Sequence, residues 1–141
     1  MKTTKNSTRL AAFCLALLMC ISFVACADVE ETGVWESATY TSDKTFGKGE
    51  KTVVVKITAE EQTLTFTLKT DKATLGEALR EHGLIEEDNG LIHTINGIKA
   101  DWDNGGWWWK FTKNGDMMMV GANDATIADG EQYEFTRTNT F

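Results

Sequence analysis

The chain has 141 residues with 14 basic and 21 acidic side chains, giving a formal net charge of −7. That length allows one ordinary domain with one core and excludes a multidomain enzyme. The acidic balance argues against nucleic-acid binding, which needs a basic face to replace counterions. The sequence contains no proline, and this excludes a proline-rich stalk.

The N-terminal segment carries Lys2, Lys5 and Arg9 and then an almost wholly apolar run from Leu10 to Ala25. A basic stretch followed by a short apolar run predicts a secretory signal peptide over residues 1–25. A retained transmembrane anchor is the competing reading, since the run is near the lower length limit for crossing a bilayer. The run ends in Phe23-Val24-Ala25-Cys26. This resembles a bacterial lipobox, in which the cysteine receives a diacylglyceryl group and becomes the mature N-terminus. Phe23 stands where leucine is usual. The alternative is cleavage after Ala27, with Ala25 and Ala27 as the small-residue pair. The cysteine positions favour the lipobox. Cys14 and Cys20 lie inside the apolar run, so Cys26 is the only cysteine left after cleavage. A lone thiol cannot form an internal disulfide, and acylation accounts for its presence. The lipid chains would hold the protein on a membrane surface, here the outer, extracytoplasmic face of the bacterial cell membrane. Loss of residues 1–25 removes three basic and no acidic residues, leaving 116 residues with a net charge of −10.

Residues 26–50 read as a tether with an edge strand, and residues 51–141 as the domain. Residues 27–34 are polar. Alternation over Val34–Thr41 predicts the edge strand, and Ser42–Glu50 a loop. Thr52–Thr58 and Gln62–Thr70 are rich in β-branched and aromatic residues and predict two strands joined by a tight hairpin. A helix is expected from Leu75 to His82. Thr74 and Glu77 form a capping box, Leu75, Ala78, Leu79 and His82 form one stripe, and Gly83 stops it. Strands are expected at Leu91–Ile95, Trp107–Lys113 and Gln132–Arg137, with a hairpin through Asn114-Gly115 that returns Met117–Val120 as a short strand. The fold class is therefore α+β, a β-grasp-like mixed sheet with one packed α-helix.

With the elements placed, the second half of the chain resembles the transcobalamin-like C-terminal domain family. The resemblance rests on Thr74-Leu75-Gly76-Glu77-Ala78-Leu79, then Ile95-Asn96-Gly97-Ile98-Lys99-Ala100-Asp101, then Trp109-Lys110-Phe111-Thr112-Lys113-Asn114-Gly115. The fourth piece is Gly121-Ala122-Asn123-Asp124 followed by Ala128-Asp129-Gly130-Glu131. These pieces occur in family order over roughly Lys51–Thr138. Ala125 replaces a usual aromatic, Lys113 a usual apolar residue, and Trp107 and Trp108 extend the usual aromatic pair. In the animal carriers this module closes over a corrin ring as a lid on a larger helical domain. The resemblance implies cobalamin or a related planar ligand. It carries fold better than ligand.

Five tryptophans and five methionines concentrate the candidate chemistry. In Trp107–Lys113 the strand period places Trp107, Trp109 and Phe111 on one face and Trp108, Lys110 and Thr112 on the other. Trp109 and Phe111 read as core, and Trp108 as partly exposed. Exposed tryptophans anchor interfaces and planar ligands, so Trp102 and Trp108 lead a candidate ligand-binding set with Trp107, Trp109, Met117, Met118 and Met119. Alternation sends Met117 and Met119 one way and Met118 the other, and the thioethers would form an adaptable wall. Asp101-Trp102-Asp103-Asn104-Gly105-Gly106 begins like a calcium loop but has Gly105 and Thr112 where ligands belong, so it reads as a polar loop. No metal site is expected. Glu60/Glu61 and Glu86/Glu87/Asp88 read as solvated turn residues. His82 and His93 are isolated, and no nucleophile constellation appears; the chain is not expected to be an enzyme and no cofactor is expected.

The sequence thus describes a membrane-anchored extracytoplasmic lipoprotein acting as a binding module. Its partners would be a corrinoid or other planar small molecule, the membrane through the lipid anchor, and a membrane transporter of an uptake system, with no nucleic acid. The alternative is a cell-surface protein-interaction or structural module with no small-molecule ligand.

Overall fold

The computed structural model describes residues 33–141. The signal-peptide, lipobox and Cys26 expectations lie outside the described residues, as does the tether up to Thr32. The compact unit runs from Val34 to Phe141.

Val34–Ser37 form one turn of 3-10 helix rather than the start of an edge strand. The Trp35 indole Nε1 donates to the Ala59 carbonyl at 2.9 Å, and Ser37 Oγ donates to the Val34 carbonyl at 2.9 Å. Those local bonds use the segment's polar groups in a turn and leave no ladder to join. The edge strand lies later, at Lys44–Gly47 (β1), inside the expected loop. It pairs in parallel with a strand over Gln62–Thr70 (β3) and buries Phe46 against Phe66, with rings 5.4 Å apart. A single buried aromatic in a short polar stretch gives no alternation to read.

Lys51–Ala59 (β2) and β3 form the hairpin that carries the core. Val53, Val55, Ile57 and Ala59 alternate with Leu64, Phe66 and Leu68 on one face, and nearly all are fully buried. The turn is Glu60-Glu61, with Glu60 at φ 56°. Leu75–Glu81 (α1) begins at the Thr74 cap. The Glu77 N–H donates to Thr74 Oγ1 at 3.3 Å, and the Thr74 N–H donates to Glu77 Oε2 at 3.2 Å. The helix ends in a Schellman motif, with the Gly83 N–H donating to the Arg80 carbonyl and the Leu84 N–H to the Leu79 carbonyl, both at 3.0 Å.

Six further strands make a second sheet and complete the first. Ile85–Asp88 (β4), Leu91–Ile95 (β5) and Ile98–Lys99 (β6) make an antiparallel three-stranded sheet, turned at Asn89-Gly90 and Asn96-Gly97 with positive φ at all four residues. The acidic run Glu86–Asp88 is thus strand rather than turn. Glu87 is half-buried and accepts from Arg80 Nη1 and from Asn123 Nδ2, both at 2.8 Å. Trp108–Lys113 (β7), Asp116–Met117 (β8) and Gln132–Thr138 (β9) complete a six-stranded mixed sheet in the order β1-β3-β2-β9-β7-β8. The parallel pairs are β1/β3 and β2/β9. The return strand is shorter than the expected Met117–Val120.

The architecture is a mixed β-rich α+β fold with one α-helix among the described residues. No helix of the described residues is long and apolar enough to cross a membrane.

Three of the four sequence pieces prove to be joints. Gly76 lies against Asn123, where a Cβ would meet Asn123 Oδ1 at 2.1 Å. The first and fourth pieces therefore interlock, and backbone bonds from Leu75 to Ala125 and from Gly76 to Ala122 hold them at 2.9 Å. Asn96 is almost fully buried. Its side-chain Oδ1 accepts the Tyr40 N–H and its Nδ2 donates to the Tyr40 carbonyl, both at 2.9 Å. The second piece therefore clamps the N-terminal segment onto the small sheet.

Candidate functional site

The aromatic residues converge where β7 begins, beside the three-stranded sheet. Trp109 points into the core and is 8% exposed, with its Nε1 donating to the His93 carbonyl at 3.3 Å. That bond ties β7 to β5 and satisfies the indole N–H that burial would otherwise strand. Trp107 is half-buried and carries the Arg137 guanidinium over its ring at 4.0 Å from the centroid. Arg137 Nε donates to the Lys99 carbonyl at 2.8 Å, so β9 and β6 are held together beneath the tryptophan. Burial lowers the Arg137 pKa while the charge of Glu60 opposes the shift. Arginine stays cationic throughout the physiological range, so a cation–π contact persists there.

Trp102, in the loop Asp101–Gly106, is 58% exposed. Phe141 meets it edge-on at 6.0 Å and stacks on Trp108 at 5.5 Å and 22°. Trp102, Trp107, Trp108, Trp109 and Phe141 line a groove of about 850 Å³, walled on its other side by Leu91, Ile92 and His93. Its size lies within the range of small-molecule sites, which are mostly apolar with a few convergent polar groups. Asp88, Asp101 and Asp103 stand around it. The His93 ring Nδ1 lies 2.8 Å from Thr94 Oγ1.

The structure therefore gathers all four candidate tryptophans but separates the methionines. Met117 lies outside this groove, in a neighbouring cleft that also touches Trp108. Met118 packs on the core, and its N–H donates to the Phe111 carbonyl at 3.0 Å. Met119 is 95% exposed. Phe141 and Arg137 join the site without a strong sequence signal. An apolar residue after the polar Thr138–Thr140 stretch is a weak signal for Phe141. For Arg137 the signal was its place on the strand facing Trp107–Trp109.

Among the described residues no three His, Cys, Asp or Glu side chains converge to hold a metal ion. His82 is at the helix C-cap, beside Phe46, with its buried Nε2 lacking a hydrogen-bond partner among the described residues and lying 3.8 Å from Glu81. Glu131 accepts from Lys113 Nζ at 2.6 Å, from the Tyr133 hydroxyl and from the Ala128 N–H at 3.0 Å. Burial alone would raise the Glu131 pKa, but the bonds from Lys113, Tyr133 and Ala128 outweigh it and hold the carboxyl below its usual value. Burial and the Glu131 carboxylate together push the Tyr133 hydroxyl well above the usual phenol range. This cluster joins β7, β9 and the loop before β9, away from the groove.

Residues 72–139 match the family described as a domain of unknown function, DUF4430. A crystal structure of a candidate metal-binding protein from Ruminococcus gnavus is similar at a TM-score of 0.62 and 28% identity, over 65% of this chain and 100% of that one. Haptocorrin in complex with Cbi is similar in fold at a TM-score of 0.55 and 16% identity, over 68% of this chain. The chain spans 27% of haptocorrin's length. No curated protein matches the chain.

Proposed function

We propose that the chain is a non-catalytic binding module of the β-grasp type that takes a flat, ring-shaped ligand in its tryptophan groove. The observation that carries this is the groove of about 850 Å³ in which Trp102, Trp107, Trp108 and Phe141 lie together. Large rigid aromatics contribute apolar contact at little entropic cost, and a planar ring stacks on them without needing a specific hydrogen-bond pattern. Phe141 already stacks on Trp108, so the indole face accepts a flat ring. The fold shared with haptocorrin, which the crystal structure holds with Cbi, supports a corrinoid as the first ligand to test. In the same proposal Cys26 carries the lipid anchor on the outer face of the bacterial cell membrane, residues 1–25 are the signal peptide, and the module hands its ligand to a transporter.

The test is titration of the full chain with cobinamide and with cyanocobalamin, following tryptophan fluorescence and the corrin visible spectrum. Saturable changes that Trp102→Ala weakens about tenfold are the expected result. No saturable change with either corrinoid discards the corrinoid assignment. Anchoring is read separately: Cys26→Ser should release the protein from membranes or block its maturation, and unchanged membrane association and mass would refute the lipobox.

A further inference from the structure

The six-stranded sheet has one face against the core and one face open. On the open face the register sets side chains in rows. One row runs Thr63, Thr58, Thr136, Lys110, and the next Thr65, Lys56, Glu134, Thr112 and Met117. Thr67 follows on β3, and Thr138 pairs with Trp108 at the other end. Seven threonines thus share one face. Fold stability does not require such a composition, since a solvated face accepts most polar residues.

A cleft of about 480 Å³ lies on this face, between Trp108 and Phe141 at one end and Met117 at the other. Its floor is Lys110, Thr112, Glu134, Thr136 and Thr138. Glu134 Oε1 accepts from the Thr58 and Thr136 hydroxyls, each at 3.2 Å. Lys110 is exposed and makes no ion pair among the described residues. The Trp108 indole Nε1 is buried and has no hydrogen-bond partner among the described residues, a costly state. The lining has one cation and one carboxylate, which cancel. In a chain of net charge −7, this is a locally neutral surface of hydroxyls with an aromatic wall.

We propose that this cleft binds a neutral oligosaccharide. A sugar ring has an apolar C–H face and a rim of hydroxyls that both donate and accept. The aromatic wall formed by Trp108 suits the first, and the Thr136 and Thr138 hydroxyls, the Glu134 carboxylate and the Lys110 ammonium suit the second. An open groove along a sheet face admits a chain of sugars rather than enclosing one. The cleft shares Trp108 and Phe141 with the groove proposed for a flat ring and differs from it in its threonine floor and in lacking Trp102.

The test is calorimetric titration of the full chain with cellohexaose, maltohexaose, xylohexaose and mannohexaose, with an oligogalacturonate as the acidic control. Saturable binding of at least one neutral hexasaccharide is expected, with a Kd of about 1 mM or tighter. Trp108→Ala should weaken it about tenfold and Thr136→Val about threefold, while Trp102→Ala leaves it unchanged. If Trp108→Ala fails to fold, Thr136→Val and Glu134→Gln, both on the solvated face, decide the matter. The proposal is overturned if no neutral hexasaccharide binds, if only the oligogalacturonate binds, or if affinity survives Thr136→Val and Glu134→Gln. Loss of sugar binding in Trp102→Ala would also overturn it, since that places the sugar in the other groove. The two readings are told apart by Trp102→Ala, which should weaken corrinoid binding and leave sugar binding unchanged.

Discussion

Strand β7 belongs to two regions that obey different rules. Its inward residues Trp109 and Phe111 join a core in which Phe111 stacks on Phe135 at 4.7 Å and 8°. Its outward residues Trp108 and Lys110 face a surface of threonines. On the inward side size and shape are constrained by close packing, and a wrong volume is felt at once. On the outward side packing constrains little, so side-chain chemistry is free to serve a ligand. A tryptophan on the second side is therefore more informative about function than one on the first.

The sharpest way to break this comparison uses neighbours on β3. Phe66 is fully buried and makes edge-to-face contacts with Tyr40 and Phe46. Phe66→Ala should cost about 3–5 kcal/mol in urea unfolding, through lost burial and the cavity left behind. Thr65, one residue earlier, faces the open side, and Thr65→Val should change stability by no more than about 0.5 kcal/mol. Comparable losses in the two variants would mean that the open face is packed against something and that the contrast is false.

The same contrast explains what the sequence made legible. The β2–β3 hairpin and the capped helix carry strong periodic signals: Leu64, Phe66 and Leu68 alternate, and Thr74 and Glu77 bracket a helical start. Each has one wet and one dry side, and the period reports which is which. β1, β4 and β6 are short and two of them are mostly polar. They exist because longer partners offer them a ladder, a tertiary cause that leaves no local pattern. The candidate site was half legible for the same reason. Trp107–Trp109 declare themselves on a strand, whereas Phe141 and Arg137 matter only through the residues they are folded against. The methionine run shows the opposite failure: three adjacent residues of one type are parted by alternation and by the end of β8 after Met117.

A second prediction concerns the joint that lets the N-terminal segment share the core. Asn96 makes two hydrogen bonds to the Tyr40 backbone from a turn position at φ 53°. Asn96→Ala removes both bonds, leaves the Tyr40 groups unpaired and forces an alanine into left-handed backbone, for a loss of about 2–4 kcal/mol. Asn96→Gly relieves the backbone and not the bonds, so it should lose less. Limited proteolysis should cut near Ser37–Tyr40 faster in both variants. Equal stability of Asn96→Ala and the parent would show that the clamp contributes nothing.

The smallest expected effect is a pH dependence at the opposite end of β7 from the groove. Glu131 holds its charge with help from Lys113, Tyr133 and the Ala128 N–H, so its folded pKa lies below its ordinary value of 4.5. In the window between the folded and unfolded values the unfolded chain binds more protons, so stability rises with pH there. The contribution is complete above pH 4.5 and is lost as pH falls through the folded pKa. The Tyr133 hydroxyl, shifted upward, remains a donor across that whole range. Lys113 is about a third exposed, so screening limits the pair, and Glu131→Gln should cost about 1 kcal/mol at neutral pH. The decisive measurement is the gap between parent and variant in urea midpoint at neutral pH and near pH 3. The gap should shrink on acidification, because protonation performs on the parent what the substitution performs on the variant. A gap that stays constant would mean that the charge on Glu131 is not what joins β7 to β9.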